Sequence, residues 1–388
     1  MRVAFFSAHY LPHVGGIETY TEKLSNTMAD MGNEVVIVTN NLFNSTPIER
    51  NGSIEIVRLP CFSFLSGRYP IPNRNAEYKR LINHIERQSF SGIVINARFY
   101  LHTLAGVHFA ENQNSLPVII DHGSAYLSFG NSMIDPIVRL YENAITRHLT
   151  RHPAAYYGVS DRSVDWLSHF GITARGTIPY AIDVENYQHS ASKRNFRQEL
   201  GVSDSDVLVV FTGRLESIKG IQIILEVADR LRDQAFHCYF TFAGEGSLIA
   251  EIKRAAVANP KVSALGRLDN ADVAALMRDA DLLLLPSRSE GFGASMIEAG
   301  AMGTPIMATD VGVASELVIN GSGGWIINRN DIQGVVNKIS SISADKCLLA
   351  EKGSDLQRYI KANFTWKSTA KALIEACEKA NYENQTRL

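Results

Sequence analysis

The sequence predicts an α/β protein of two doubly wound domains that face each other across a cleft. Three observations carry that prediction. Short apolar runs alternate with helical stretches over most of the chain, the pattern of parallel strands covered by helices. The alternation stops at a polar stretch, Asp183–Ser205, and then restarts. The length of 388 residues suits two or three domains at roughly 100–200 residues each, every one able to bury a core.

The elements follow in order. Val3–Ser7 reads as the first strand, and the turn at Gly15-Gly16 opens a helix that runs through Met31 and stops at Gly32. Glu34–Thr39, Ile93–Asn96, Val118–Asp121 and Ala155–Ser160 read as further strands with helices among them. Asp183–Ser205, broken by Gly201, reads as the domain connection. The second series has strands at Val207–Thr212, Cys238–Ala243, Val262–Gly266, Asp281–Leu285, Pro305–Thr309 and Gly324–Ile327, with a helix at Gly220–Arg232. Helical spacing of Trp366, Ala370, Leu373, Ile374 and Cys377 marks a last helix. The domains are placed at 1–183 and 184–365, with 366–388 as a closing helix.

Composition narrows the function. Hydrophobic residues are 45% and charged residues 20%, which excludes a disordered, collagen-like or coiled-coil protein. With 38 Lys plus Arg against 40 Asp plus Glu the net charge is −2, so no nucleic-acid partner is expected. Cys61, Cys238, Cys347 and Cys377 lie far apart, against a zinc ribbon or a disulfide framework and in keeping with reduced thiols in a cytoplasm. The apolar run at Met1–Ser7 is too short for a signal peptide, and no run approaches the ~20 residues of a membrane span. Membrane contact, if made, is peripheral.

Open parallel sheets bind ligands beyond the carboxyl ends of their strands, so the chemistry is sought in the loops there. Gly15 and Gly16 let backbone approach a ligand, ahead of a helix whose free N–H groups favour an anion; alone a double glycine is weak evidence, and an ordinary tight turn is the simpler reading. Arg214 and Lys219 sit between a strand end and a helix start, where one bidentate and one point-like cation could clamp a diphosphate. Solvated surface cations are the bland alternative. Glu290 and Glu298 stand eight residues apart around Gly291, Phe292 and Gly293. The amides at Gly291–Ala294 would lie at a helix N-terminus, with Glu298 about a turn inside, able to accept from a sugar diol. A solvent-facing Glu pair would not explain Gly-Phe-Gly between them. His122 follows a strand directly. Gly244-Glu245-Gly246 lacks the third glycine of a dinucleotide fingerprint, and the triplets Asp204–Asp206 and Asp279–Asp281 lie away from strand-end loops, so no metal is assigned.

Together these segments resemble a retaining glycosyltransferase of family 4, with the GT-B fold. The resemblance spans nearly the whole chain: Gly15–Glu18, Val159-Ser160, Ile178–Asp183, Gly213–Leu215 with Lys219-Gly220, Ala243–Gly246, Pro286–Pro305, Val311–Val313 and Glu316–Val318. The Glu-x7-Glu block continuing into Glu298–Pro305 is its most specific part. Tyr180-Ala181 stands where the family often has Asn-Gly, and Met302 where it often has Cys.

The resemblance implies roles. Arg214 and Lys219 would neutralise the donor diphosphate, Glu298 would bind the ribose hydroxyls, and Glu290 would hold the transferred sugar. Phe292 and Gly293 would give backbone contacts to sugar and phosphate, with Gly291 beside them. Gly15 and Gly16 would close over the diphosphate, and His122 would lie near the sugar. The backbone at Gly266, Arg267 and Leu268 would read the base. The first domain would bind acceptor, the second a UDP- or GDP-linked sugar, and the last helix would return to the first domain. Glu290 and Glu298 belong to one segment and would bind one face of the donor, which favours a front-face route over double displacement. An epimerase or phosphorylase on the same fold, and a non-catalytic nucleotide-sugar sensor, remain the competing readings. The acceptor is expected to be a glycan or lipid-linked glycan of bacterial surface polysaccharide assembly, at the inner face of the cytoplasmic membrane. There Arg58, Arg68, Arg74, Lys79, Arg80 and Arg87, interleaved with Phe62, Phe64, Leu65 and Tyr69, would suit an anionic surface; Glu77 and Glu86 dilute the stretch, and an ordinary surface loop and helix reads equally well.

Overall fold

The computed structural model describes every residue except Val14, Leu65, Ser66, 129–132, Ala235, Phe236 and Leu388, together with the side chain of Arg387. Leu65 of the basic stretch therefore lies outside the described residues. The chain divides into two compact units, Met1–Tyr180 with Trp366–Leu388, and Ala181–Thr365.

The first unit runs β1 (Arg2–Ser7), α1 (Gly16–Asp30), β2 (Glu34–Asn40), β3 (Ile48–Asn51), β4 (Ile54–Leu59), β5 (Cys61–Phe64), β6 (Tyr69–Pro72), α2 (Ala76–Glu86), β7 (Gly92–Asn96), α3 (Leu101–Asn112), β8 (Val118–Asp121), α4 (Ile134–Leu149), β9 (Ala155–Gly158) and α5 (Asp161–Ser168). Its seven-stranded sheet has the order β3-β4-β2-β1-β7-β8-β9, parallel except for β3 against β4. Val3–Phe6 and Val35–Val38 are buried throughout, as strands covered on both faces require. The helix opened by the double glycine ends where Gly32 predicts, with the Asn33 amide bonded to the Met28 carbonyl and the Gly32 amide to Ala29.

β4 corrects the basic surface. Arg58 is buried in this strand and pairs with Glu49 at 2.8 Å, while Glu55, equally buried, accepts from His84 at 2.8 Å. Mixed charge hid the strand, because each charge is neutralised by a neighbour after folding. β5 and β6 form a separate hairpin that leaves Phe62 and Phe64 exposed.

The second unit runs α6 (Val184–Ser190), α7 (Phe196–Leu200), β10 (Val207–Thr212), a 3-10 turn (Ser217–Lys219), α8 (Ile221–Leu231), β11 (Cys238–Ala243), α9 (Ile249–Ala258), β12 (Val262–Gly266), α10 (Asn270–Asp279), β13 (Leu282–Leu285), α11 (Ala294–Ala301), β14 (Ile306–Ala308), α12 (Ala314–Ile319), β15 (Gly324–Ile326), α13 (Ile332–Ser343) and α14 (Lys346–Asn363). Its six strands are all parallel in the order β12-β11-β10-β13-β14-β15. The order reverses between β10 and β13, so the loops after those two strands meet at a topological switch point.

The stretch read as a connection is folded. α6 and α7 pack on α10, with the Ser192 amide bonded to the Ala271 carbonyl and Arg197 paired with Asp281 at 2.7 Å. Three of the four carboxylates in the two Asp triplets are bonded within this packing, while Asp204 stays exposed. Asp279 accepts from the Phe196 amide, Asp281 from Arg197 and the Leu208 amide, and Asp206 from Ser203. The last helix, α15 (Trp366–Arg387), packs on the first unit: Asn381 donates to the Ser91 carbonyl at 2.6 Å, and Glu383 takes Arg175 in a two-point pair at 2.7 and 2.8 Å.

Candidate active site

In the second unit the residues singled out by spacing converge on the carboxyl edge of the sheet. Gly220 makes the join possible. It lies at φ 76°, and a Cβ there would fall 2.2 Å from the Pro286 carbonyl oxygen, so only glycine lets the loop after β10 press against the loop after β13. The Arg288 amide bonds the Ile218 carbonyl at 2.8 Å and closes the seam. A second backbone approach sits beside it: a Cβ on Gly244 would fall 1.8 Å from the Gly213 oxygen. The Gly244-Glu245-Gly246 loop thus packs on Gly213–Leu215, with Leu215 N on the Glu245 carbonyl at 2.8 Å.

The seam sets Lys219 against Glu290. Lys219 Nζ lies 2.5 Å from Glu290 Oε2, and both side chains are mostly buried. The other carboxylate oxygen of Glu290 accepts from Ser287 Oγ at 2.7 Å. Ser287 is itself fixed, since its carbonyl accepts the Thr309 hydroxyl at 2.5 Å. Ser287 and Thr309 escaped the sequence reading because hydroxyls that hold a carboxylate carry no spacing signal.

Glu298 lies within α11, one turn past its cap at Gly293, and stands differently. No hydrogen bond or ion pair reaches its side chain among the described residues. The carboxyl is only partly exposed, and burial pushes its pKa up to about 7. Arg214 is exposed, also with no partner among the described residues. Two further cations were not read from the sequence, Arg288 after β13 and Arg329 after β15. Burial, and after it the charge of Arg288, holds the Arg329 guanidinium below its ordinary pKa, which places the two within electrostatic reach. Phe292 is buried against Phe364 and its carbonyl accepts the Val313 amide at 2.9 Å, so it fixes the loop from within. Gly291 and Gly293 flank it. Gly266 ends β12 with its carbonyl bonded to the Gly244 amide at 2.7 Å; Arg267 is exposed and Leu268 half-buried.

In the first unit His122 ends a chain of fixed polarity. The Thr21 hydroxyl donates to the Ile17 carbonyl at 2.7 Å, so its oxygen accepts from the Asn96 amide nitrogen at 2.9 Å. That turns the Asn96 carbonyl oxygen toward His122 Nε2 at 3.0 Å, and an acceptor there requires the proton on Nε2. Nδ1 is therefore the bare nitrogen, and burial pushes the imidazole pKa down to about 3, so the ring is neutral. The Tyr20 ring meets it edge-on at 5.0 Å. Behind it Arg98, 1% exposed, bonds Glu142 at 2.7 Å and Thr146 at 2.8 Å and lies 3.9 Å from the Phe170 ring centroid. Asp121 is 3.3 Å from Arg98 Nε with no aligned hydrogen bond, and burial raises its pKa to about 6. Gly15 caps α1, with the Glu18 carboxylate folded back against it and bonded to His13 at 2.9 Å; the space around Gly16 is open.

Family models match both halves of the chain: Glycosyltransferase Family 4 over residues 14–186 and Glycosyl transferases group 1 over residues 192–382. The chain belongs to glycosyltransferase family 4. This glycosyltransferase is 22% identical over 390 residues to an uncharacterized glycosyltransferase of Methanocaldococcus jannaschii, with 98% of each chain covered. Sucrose-phosphate synthase from Thermosynechococcus elongatus superposes with a TM-score of 0.76 at 19% identity, over 97% of this chain and 98% of that one. Anabaena HepE, solved in complex with UDP-glucose, gives 0.71 at 19% identity over 98% and 100%. These structures share the fold, two Rossmann-like domains of the GT-B type, as the glycosyltransferase's sequence predicts. No helix among its described residues is long and apolar enough to cross a membrane.

Proposed function

We propose that the chain transfers a hexose-type sugar, with retention, from a UDP- or GDP-linked donor to a hydroxyl of a glycan or lipid-linked glycan. The observation that carries this reading is the contrast at one sheet edge. Lys219 and Glu290 hold each other in place, while Glu298 and Arg214 have no partner among the described residues. A nucleoside-diphosphate sugar supplies what each lacks: diol hydroxyls for Glu298, phosphate oxygens for Arg214 and Lys219, and sugar hydroxyls for Glu290 once Lys219 turns to phosphate. The UDP-glucose held by a structural neighbour supports a donor of this class.

In this mechanism the leaving diphosphate takes the acceptor's proton as an oxocarbenium-like sugar forms on one face. Arg214, Lys219 and the amides at the start of α11 hold the charge that develops on the leaving group. Arg288 and Arg329 add positive potential at the same edge, so no metal is required. His122, neutral and with Nδ1 as an acceptor, can take a hydrogen bond from a sugar hydroxyl but cannot act as a strong base. The backbone at Gly266–Leu268 reads the base, and Gly15 and Gly16 approach the phosphates.

A lipid-linked acceptor is supported by the first unit. Tyr69 of β6 and Tyr141 of α4 meet edge-on at 5.4 Å, and the β5–β6 hairpin and α4 leave Phe62, Phe64, Ile137 and Leu140 exposed. Apolar groups of this kind suit an acyl or prenyl chain at the inner membrane face, and bacterial surface polysaccharide assembly is the pathway proposed. The test is incubation with radiolabelled UDP- and GDP-sugars and lipid extract, with and without EDTA. Label in a lipid or glycan product, undiminished by EDTA, is expected. Isomerised sugar, binding without turnover, or a requirement for added Mg²⁺ would each refute a stated part of the reading.

A further inference from the structure

A second cluster of ligand-type side chains lies at the amino edge of the first unit's sheet, at the opposite end of the strands from His122. His108 and Glu111 stand three residues apart near the end of α3, a spacing that puts them on one helix face. His152 lies between the end of α4 and the start of β9. One ligand atom from each of these three residues lies within 4.8 Å of the other two. His152 Nδ1 and Glu111 Oε1 are already 2.6 Å apart. The His108 ring meets the His152 ring edge-on at 5.4 Å, and so does the ring of His148, on the last turn of α4, also at 5.4 Å.

We propose that His108, Glu111 and His152 bind a borderline-soft divalent cation of the Zn²⁺ type, with His148 or water as the fourth ligand. Two imidazoles and a carboxylate suit Zn²⁺, Ni²⁺ or Cu²⁺, whereas Mg²⁺ and Ca²⁺ select sites made of oxygen. Tetrahedral bonds of about 2.0–2.2 Å set ligand atoms roughly 3.3 Å apart, so Glu111 and His152, now at 2.6 Å, part slightly while His108 closes on them from within 4.8 Å. His108 and Glu111 are exposed and His152 is half-buried, so rotamer changes accomplish this without moving the backbone. His152 also lines a cavity of about 280 Å³ with Thr150, Tyr156 and Thr173, which gives water access to an open coordination position. Arg147 and Arg151 belong to the same segment, so affinity rests on coordination bonds rather than on a negative field. The ion would clamp α3 to the turn between α4 and β9. It takes no part in sugar transfer.

The experiment uses the full, untagged chain, because a polyhistidine tag would compete. Calorimetric titration with Zn²⁺ is expected to give one site per chain, with no heat from Mg²⁺, and Zn²⁺ is expected to raise the melting temperature. His108→Ala and His152→Ala are expected to weaken binding by about 10–100-fold or more and to abolish the melting shift. Co²⁺ in place of Zn²⁺ is expected to give the visible absorption of a four-coordinate site, lost in the same variants. Circular dichroism verifies that these surface variants fold. Absence of saturable Zn²⁺ binding, or binding unchanged in both variants, would overturn the proposal.

Discussion

At the carboxyl edge of the first unit's sheet the polar side chains satisfy or bury one another: Thr21, Asn96 and His122 form one directed chain, and Arg98, Glu142 and Asp121 a charge cluster sealed from water. At the matching edge of the second unit the charged groups are half paired. Lys219 and Glu290 are locked together, while Arg214 and Glu298 have no partner among the described residues. The same strand-loop-helix geometry thus serves two ends. A sealed network fixes a surface; an edge with unspent cations and carboxylates awaits a ligand that is both anionic and rich in hydroxyls. If that contrast holds, substitutions in the sealed Arg98 cluster act on stability, and substitutions at the second unit's edge act on donor binding and turnover.

The largest effect is expected in the sealed cluster. Arg98→Met leaves the Glu142 and Asp121 carboxylates buried without their counter-charge, which costs about 3–5 kcal/mol. Urea unfolding measures it; a loss under 1 kcal/mol would mean that the cluster is not sealed. Lys219→Ala follows. It removes one preorganised cation and frees Glu290, and should lower kcat/KM by about 10²–10³-fold, with unfolding little changed. A variant that loses stability but keeps its rate would reverse the assignment of the two edges.

Asp121 comes next and tests burial directly. Its pKa is raised to about 6, so folding favours the protonated carboxyl. The stability from this group is complete below the ordinary carboxylate range and is lost as pH rises through about 6. About two pKa units correspond to on the order of 3 kcal/mol. Wild type measured against Asp121→Asn across pH 4–7 should show that decline. A difference independent of pH would place the charge in contact with water.

The two edges also differ in how readable they were. Glu290, Glu298, Lys219 and Gly220 announce themselves because chemistry and close backbone approach restrict residue type at fixed spacing. The same restriction explains Gly244 and Gly246, which read as a failed cofactor fingerprint and are in fact a packing joint for the Gly213 loop. β4 is hidden because Glu55 and Arg58 sit in a buried strand, where partners from elsewhere, Glu49 for Arg58 and His84 with Arg50 for Glu55, make that tolerable. Arg98 and Glu142 are 44 residues apart, so no local pattern relates them. The protonated nitrogen of His122 depends on Thr21 and Asn96, contributed by other elements, and could not be read from Asp121-His122-Gly123.

The smallest effect is the most diagnostic for the second edge. Burial holds Glu298 neutral below about pH 7 in the free protein. Diol hydroxyls donate more strongly to a carboxylate than to a neutral acid, so donor binding should favour the ionised form and release a proton. UDP-glucose is the suitable probe, because its diphosphate is esterified at both ends and lacks the terminal phosphate ionisation near pH 6. If only the ionised form binds, affinity rises about tenfold between pH 6 and pH 8. Glu298→Gln keeps the size and an acceptor oxygen but cannot titrate, so its affinity should be flat over that range and no higher than that of wild type at pH 6. Calorimetry in buffers of different ionisation enthalpy measures both the affinity and the proton released. A flat wild-type profile, or a slope that survives in Glu298→Gln, would show that the unpartnered carboxyl does not meet the donor and would remove the distinction drawn between the two edges.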